Sequence, residues 1–267
     1  MLSSLPPSSP PLSNWFVVSL RPVGQHRPVL RAAKALGADG LSLPGLRLTA
    51  REDTPTRVAL DDALRCSRVI FTSPAAARHA VRLRMLASDA PNARIRQIFA
   101  LGQATRAVLR RAGIAEVLIP QHATSEGLLA LPELGSAAGT RIGVVTAPGG
   151  RGLLEQRLRE AGAALVIAEV YARAPARLDA THARRLMGAR GHGAVCITSA
   201  DALRNVLLAL PKAACETLLR CVAVTSSARL DAIARDTGFL NVVRADGPTP
   251  RSLLKALCVH ASQRGFR

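Results

Sequence analysis

The sequence predicts an α/β protein made of two similar parallel-sheet domains that arose by internal duplication. Two observations support this fold class. Short apolar runs alternate with amphipathic segments along the chain, a pattern typical of parallel strands with helices on both faces of the sheet. The chain also resembles itself at an offset of 125 residues over nearly its whole length, which is the signature of a repeated structural unit.

The predicted elements follow from the apolar runs and from the helix signals between them. The predicted strands are 15–20, 41–48, 68–72, 97–101, 116–119, 141–146, 164–171, 194–198, 221–225 and 241–244. Helices are predicted over 25–36, 74–85 and 152–162, in a segment that ends near Gly113, and in one that Ser125 opens. Pro74 suits the first turn of a helix, where its missing N–H costs nothing.

The duplication rests on residues that match at the fixed offset. Glycines that end or follow an element recur in both halves, and the phrase "VIFTSPAAARHAV" recurs as "VCITSADALRNVL" with one residue of slip. The matched pairs are Gly24 and Gly149, Gly37 and Gly162, Gly102 and Ser227, Gly113 and Gly238, Leu128 and Leu253, and Ser73 and Ser199.

Composition limits the classes of partner. Aromatic residues make up 3% of the chain, so rings on which single-stranded bases could stack are scarce. The formal net charge is +18, which favours a polyanionic partner, either a nucleic acid or a small molecule with many carboxylates or phosphates. No dense Lys/Arg tract is present, so we expect no nucleic-acid partner, and compositional bias with solvated arginines stays an alternative explanation of the charge.

The cysteines and the N-terminal segment carry no metal or targeting signal. The five cysteines are scattered without a C-x-x-C pair, which predicts reduced structural thiols and no metal site. Residues 1–13 are rich in Pro and Ser and lack a basic start and a long apolar stretch, so we expect a disordered tail, not a secretory signal. No apolar run approaches the ~20 residues that cross a bilayer. A cytoplasmic protein without membrane contact is therefore expected.

Hydroxyl and glycine residues follow many of the predicted strands. Ligands of open parallel sheets bind beyond the carboxyl ends of the strands, where the N–H groups of helix N-termini attract anions. These positions are Thr72-Ser73, Gly102, Ser125, Gly149-Gly150, Thr198-Ser199 and Ser226-Ser227. For each one alone, helix N-capping is a sufficient explanation. As a set in two copies, they favour an anion-binding site.

With these residues in view, the chain resembles the uroporphyrinogen-III synthase family. The pieces that carry the resemblance are spread over 16–257, and their order and spacing are more specific than any single piece. They are the first strand ending in Arg21-Pro22, "FTSPAAARHAV", "FALGQATRAVL", "TSEGLLALPEL", "GGRGLLEQRLREAGA" leading to "VYAR", "ITSADAL", and "VTSSARLDAIARDTG" followed by "TPRSLLKAL".

The resemblance implies a fold and a reaction. It implies two flavodoxin- or Rossmann-like domains joined by a two-stranded linker, with an active site in the cleft between them. The expected first domain is 1–44 with 173–267, the second is 50–167, and the linker crossings are 45–49 and 168–172. The implied substrate is hydroxymethylbilane, a linear tetrapyrrole with eight carboxylates, which is closed to uroporphyrinogen III with inversion of ring D and loss of water. No metal or organic cofactor is implied, and we expect a monomer.

The resemblance also implies site residues. Tyr171, the single tyrosine, stands at the end of the predicted strand 164–171 and is expected to donate a hydrogen bond to the departing hydroxyl. Burial as a structural tyrosine is the alternative. The expected substrate-binding residues are Arg21, Ser73, Ala75, Gly102, Thr105, Ser125, Arg151, Thr198, Ser199, Ser227 and Arg229.

This sequence departs from the family pattern in two turns. "SSAR" at 226–229 stands where many relatives have G-x-x-T, and "TAPGGRG" at 146–152 lacks an arginine common before the glycines. These departures weaken the residue assignments more than the fold.

Two other function classes share features of this sequence. A two-lobed binding protein or sensor for an anionic small molecule would share this fold and perform no chemistry. A nucleotide-dependent enzyme is disfavoured, because "PGGRG" lacks both the P-loop and the full G-x-G-x-x-G spacing.

Overall fold

The apolar runs of the sequence become strands of two parallel sheets in the computed structural model of the chain. The structure describes residues 10–83, 97–135, 137–149 and 152–263. The chain divides into two units: unit 1 is Met1–Arg47 with Ala174–Arg267, and unit 2 is Leu48–Arg173.

The strands are β1 (Trp15–Ser19), β2 (Asp39–Ser42), β3 (Leu46–Ala50), β4 (Arg68–Phe71), β5 (Gln97–Ala100), β6 (Arg141–Thr146), β7 (Ala164–Glu169), β8 (Tyr171–Pro175), β9 (His192–Ile197), β10 (Val222–Thr225) and β11 (Val242–Arg244). The helices are α1 (Arg27–Ala35), α2 (Thr54–Leu64), α3 (Pro74–Leu83), α4 (Gln103–Arg111), α5 (Ser125–Leu129), α6 (Pro132–Gly135), α7 (Leu153–Glu160), α8 (Ala180–Met187), α9 (Ala200–Ala209), α10 (Lys212–Leu219), α11 (Ala228–Thr237) and α12 (Pro250–Gln263).

Unit 1 contains a five-stranded sheet in the order β11-β10-β9-β1-β2. All its pairings are parallel. The side chains of successive residues alternate between the two faces, as a strand requires. Phe16 and Val18 pack on one face with helices α8 to α11, whereas Trp15 and Val17 pack on the other with α1 and α12.

Unit 2 contains a four-stranded parallel sheet in the order β5-β4-β6-β7. Beyond β5, Phe99 forms one further parallel bridge with Leu118. The sequence predicted a strand over 116–119, but the structure has a single bridge there, at Leu118. The predicted length of this strand is therefore wrong. The two faces of the sheet again bury different residues, Val69 and Phe71 on one and Ile70 and Phe99 on the other.

The registers of the two sheets agree at the offset found in the sequence. Phe16 pairs with Asp39 in unit 1, and Arg141 pairs with Ala164 in unit 2. Val224 pairs with Val243, as Phe99 does with Leu118. Adding 125 to one pair gives the other in both cases. The expected fold class, two similar parallel-sheet domains from a duplication, is confirmed.

A separate two-stranded sheet pairs β3 with β8. Each of these strands contains one passage of the chain between the units, at Arg47–Leu48 and at Arg173–Ala174. Two strand predictions are corrected here. The expected strand 41–48 is split into β2 and β3, and the expected strand 164–171 ends at Glu169. Tyr171 therefore begins β8 instead of ending β7.

Further differences from the sequence predictions concern local elements. Residues 10–13, expected within a disordered tail, form a turn in which Leu12 is fully buried and its N–H donates to the Leu36 carbonyl. The helices predicted individually did not include α2, α6, α8, α10, α11 or α12. None of the helices in the described part of the chain is long and apolar enough to cross a membrane.

Candidate functional site

Each sheet has one point where the order of its strands reverses along the chain. In unit 1 the chain continues from β1 to β2 on one side and later places β9 on the other side. In unit 2 the corresponding neighbours are β4 and β6. Crevices at the carboxyl ends of such strands are the usual ligand sites of open α/β sheets. The residues that follow β1, β9, β4 and β6 are therefore the first candidates.

In unit 2 this edge carries hydroxyl groups. Thr72 follows β4, and its Oγ1 lies 2.9 Å from the Oγ1 of Thr146 at the end of β6. Ser73 is the N-cap of α3, since its Oγ accepts the Ala76 N–H at 3.0 Å. The Ser73 Oγ also lies 3.2 Å from the Tyr171 Oη. Ser73 and Tyr171, two predicted site residues that are 98 positions apart in the sequence, are therefore in direct contact.

The phenol of Tyr171 has three polar or aromatic neighbours. Besides Ser73, the Arg173 Nη2 donates to the Tyr171 Oη at 3.3 Å, and the Arg173 guanidinium carbon lies 5.8 Å from the ring centroid. The His79 imidazole stacks on the Tyr171 ring, with centroids 5.2 Å apart and planes inclined by 22°. Tyr171 is only 2% exposed, and shielding from bulk water strengthens the hydrogen bonds of its hydroxyl.

The surroundings of this cluster lower the pKa of His79. Burial lowers the pKa of His79, and the neighbouring Arg78 and Arg82 lower it further, while Glu52 opposes them. Burial also lowers the pKa of the Arg78 guanidinium, which the nearby Tyr171 partly offsets. The imidazole is therefore neutral near pH 7, with the positive charge of the cluster carried by arginines.

In unit 1 the same edge carries Arg21 after β1 and Thr198-Ser199 after β9. The Arg21 Nη2 donates to the Pro248 carbonyl, and burial lowers the pKa of the guanidinium. Within the described residues, the buried Arg21 Nε has no hydrogen-bond partner. Ser199 caps α9 by accepting the Ala202 N–H at 3.3 Å.

Two chains of curated function are similar to this one over almost their full length, and a family model matches as well. The model described as "Uroporphyrinogen-III synthase HemD" matches residues 28–255. The chain belongs to the uroporphyrinogen-III synthase family. The uroporphyrinogen-III synthase of Salmonella typhimurium is 29% identical over 246 residues, which cover 90% of this chain and 99% of that protein. The one of Escherichia coli is 28% identical over the same span and coverage.

Solved structures of uroporphyrinogen III synthases share the fold. A mutant of the Thermus thermophilus protein aligns with a TM-score of 0.59 at 18% identity, covering 93% of this chain and 99% of its own. The Helicobacter pylori protein aligns with a TM-score of 0.56 at 14% identity, covering 91% and 98%. At these identities the likeness concerns the fold.

The remaining residues predicted from the family resemblance occupy several turns. Ala75 is buried in the first turn of α3, next to Ser73. Gly102 caps α4, the next helix along the sheet edge, and Thr105 is buried one turn later. Ser125 begins α5, but the capping side chain is Thr124, whose Oγ1 accepts the Gly127 N–H at 3.0 Å.

Three further predicted residues complete this comparison. Ser227 caps α11 after β10, where its Oγ accepts the Leu230 N–H at 3.4 Å. Arg229 is exposed in the first turn of the same helix. Arg151 lies outside the described residues. The structure therefore brings Ser73, Ala75 and Tyr171 together, whereas the other predicted residues that it describes lie in other turns of their own units.

Sequence reasoning missed Arg173, His79 and His26. Arg173 stands two residues after Tyr171 on a strand, so the period of two could have placed both on one face. His79 and Tyr171 are far apart in sequence, and no local pattern predicts their stacking. His26 precedes α1, and its Nδ1 lies 3.1 Å from the fully buried Ser19 Oγ.

No group of three or more His, Cys, Asp or Glu side chains suited to a metal ion occurs among residues 10–83, 97–135, 137–149 and 152–263. All five cysteines are free. Burial raises the pKa of Cys196 and of Cys221 to about 12 in each case, so neither thiol offers a thiolate near neutral pH.

Proposed function

We propose that this chain is a uroporphyrinogen-III synthase, a lyase that closes hydroxymethylbilane to uroporphyrinogen III with inversion of ring D and loss of water. The observation that carries the proposal is the family match over 28–255. It is supported by relatives of this name that align over 99% of their own length. The same proposal includes action as a cytoplasmic monomer without nucleic acid or membrane.

The charge of the chain suits this substrate. Eight carboxylates meet a protein of formal net charge +18, and such a field steers an anion toward its site. Exposed ion pairs contribute only ~0–1 kcal/mol each. Exposed arginines such as Arg229 therefore raise the encounter rate, while helix N-termini and half-buried arginines such as Arg21 hold the bound substrate.

Tyr171 is proposed to assist the departure of the hydroxyl. As the C–O bond of the hydroxymethyl group breaks, the pyrrole nitrogen supplies the electron pair and an azafulvene cation forms. The hydroxyl leaves as water after it takes the phenol proton of Tyr171, and the proton that a pyrrole carbon loses after ring closure restores the phenol. The phenol donates a hydrogen bond to this oxygen, and the guanidinium of Arg173 stabilises the negative charge that the phenol oxygen gains.

The direction of the hydrogen bond between Ser73 and Tyr171 determines whether the phenol can donate its proton to the substrate. Only one proton can lie between the Ser73 Oγ and the Tyr171 Oη, which are 3.2 Å apart. When Ser73 donates to Tyr171, the phenol proton is free for the leaving group. The rest of the catalysis is conformational, because holding the two ends of a flexible chain together replaces an unfavourable encounter.

Product analysis tests the activity. The purified protein is incubated with freshly generated hydroxymethylbilane, the products are oxidised, and the type I and type III uroporphyrins are separated. A type III product that depends on the protein supports the proposal. If only the type I ring forms, as it does without an enzyme, the chain is instead a binding protein for an anionic ligand.

The variant Tyr171→Phe tests the role of the phenol. We expect turnover to fall on the order of 100-fold, the low end of a general-acid contribution, without disappearing. Thr56→Val is the matched control, because Thr56 is a buried hydroxyl residue of the same unit in α2. Unchanged turnover in Tyr171→Phe would remove Tyr171 from the mechanism.

A further inference from the structure

His79 forms a contact that the reaction scheme does not use. It lies on α3, six residues after the N-cap Ser73, whereas Tyr171 begins β8. The two rings stack at 5.2 Å and 22°. This offset, nearly parallel geometry is a favourable arrangement for aromatic pairs and contributes beyond the buried area alone.

The stacking restrains the plane of the Tyr171 ring, which hydrogen bonds at the hydroxyl alone do not fix. Ser73 and Arg173 both bind the Tyr171 Oη at the tip of the ring, and a tip contact does not fix the plane of a ring. Terminal torsions of aromatic side chains are broad, so the plane is set by packing. The imidazole face on the phenol face supplies that packing from a different element.

The environment keeps the histidine suited to stacking. Burial and the cations of Arg78 and Arg82 lower the pKa of His79, and Glu52 alone opposes this. A neutral ring stacks on the phenol without adding a positive charge beside Arg78 and Arg82. Protonation would instead place an imidazolium next to these two guanidinium groups.

We propose that His79 is a positioning residue for Tyr171, whose stacked ring holds the phenol plane so that the hydroxyl stays between Ser73 and Arg173. The proposal rests on the proposed function for its kinetic consequence. Its geometric content stands alone, because the orientation of the single tyrosine can be measured without turnover.

The kinetic test uses a pair of substitutions that differ in stacking. His79→Phe keeps a flat ring on the phenol, and His79→Ala removes it. We expect His79→Ala to lower kcat about tenfold, since small misplacements of a reacting group are costly, with KM within about twofold of the starting protein. His79→Phe should retain kcat within about twofold. His122→Ala, at an exposed histidine of unit 2, should change neither constant.

A double substitution separates positioning from general loss of structure. If His79 acts through the phenol hydroxyl, His79→Ala should cost nothing further in the Tyr171→Phe background. Additive losses in the double variant would overturn the proposal, and so would a His79→Phe variant as slow as His79→Ala. The reason is that interacting residues show coupling and independent ones do not.

Tyrosine NMR gives an answer that does not depend on catalysis. Because the chain has one tyrosine, a ring-labelled sample gives the signals of Tyr171 alone. His79→Ala should shift these signals and speed the flipping of the ring, whereas His79→Phe should keep the flipping slow. Unchanged ring dynamics in His79→Ala would overturn the positioning role. The two proposals can fail separately. If the product assay yields no type III ring but the Tyr171 ring flips faster in His79→Ala, the proposed function is wrong and the positioning role is supported.

Discussion

Removal of the Ser73 hydroxyl should affect stability and catalysis together. Ser73→Ala deletes the acceptor for the Ala76 N–H, and loss of an N-cap costs about 1 kcal/mol. It also deletes one of the two hydrogen-bond partners described for the buried Tyr171 hydroxyl, and the loss of this bond costs about 1 kcal/mol more. The expected loss of about 2 kcal/mol corresponds to a melting temperature lower by about 6 °C for a unit of this size.

Asp53→Ala is the matched control for the cap. Asp53 caps α2 of the same unit, where its Oδ1 accepts the Thr56 N–H at 2.8 Å, and it has no contact with Tyr171 among those described. We expect it to lose only the contribution of the cap to stability and to keep the kcat of the starting protein. Ser73→Ala should lose more stability and also lower kcat.

Two intrinsic probes make the assay specific. The single tyrosine lies in unit 2 and the single tryptophan, Trp15, lies in unit 1. Tyrosine absorbance and tryptophan fluorescence are followed during thermal unfolding of both variants. If Ser73→Ala melts together with Asp53→Ala by the tyrosine signal, the hydroxyl pair contributes nothing and the reasoning fails.

Three further predictions follow from packing and titration. Gly143→Ala should lower the free energy of unfolding by about 2 kcal/mol, the middle of the overpacking range, because its Cβ would lie 2.8 Å from the carbonyl carbon of Ala63 in α2. Gly135→Ala is the control, because the space around Gly135 is open, and it should leave the free energy of unfolding unchanged. Denaturant titration measures both variants. The lowered pKa of His79 means that the unfolded chain binds more protons below about pH 6.5, so stability should fall as the pH drops from 7. His79→Phe should make that fall shallower, and an equal slope would contradict the sign worked here. Cys196 and Cys221, with pKa values raised to about 12, should resist a thiol reagent at pH 8 in the native protein and react in denaturant, as mass spectrometry of labelled peptides would show.

The duplication was the part of the fold that the sequence predicted most readily. Apolar runs mark strands, and glycines such as Gly37 and Gly162, both with positive φ, recur where a left-handed turn must end a helix. These signals are local, so they repeat wherever the unit repeats. The split of 164–171 was hidden because Val170 is apolar and fully buried, so it continues the apolar run of the sequence beyond Glu169.

The sequence predicted Ser73 because a hydroxyl residue follows a strand, and it predicted Tyr171 through the family resemblance, at a strand end that the structure does not have. The contact between these two residues is a feature of the tertiary structure that neither signal contains. Arg173 follows from strand alternation with Tyr171. The stacking of His79 depends on how α3 packs against β8, which is a tertiary fact. The capping role of Thr124 in place of Ser125 turned on a one-residue shift, the usual error at helix ends.

The passage of the chain through β3 and β8 sets the order in which a nascent protein can fold. Unit 2 is one uninterrupted stretch, 48–173, and its strands meet as soon as it has left the ribosome. β1 is made early but pairs with β9, which begins at His192. At the ~5–20 residues per second of translation, the edge of β1 waits on the order of ten seconds for its neighbour. During that time the apolar run of Trp15–Ser19 has one unpaired edge, and an exposed strand edge of this kind favours aggregation.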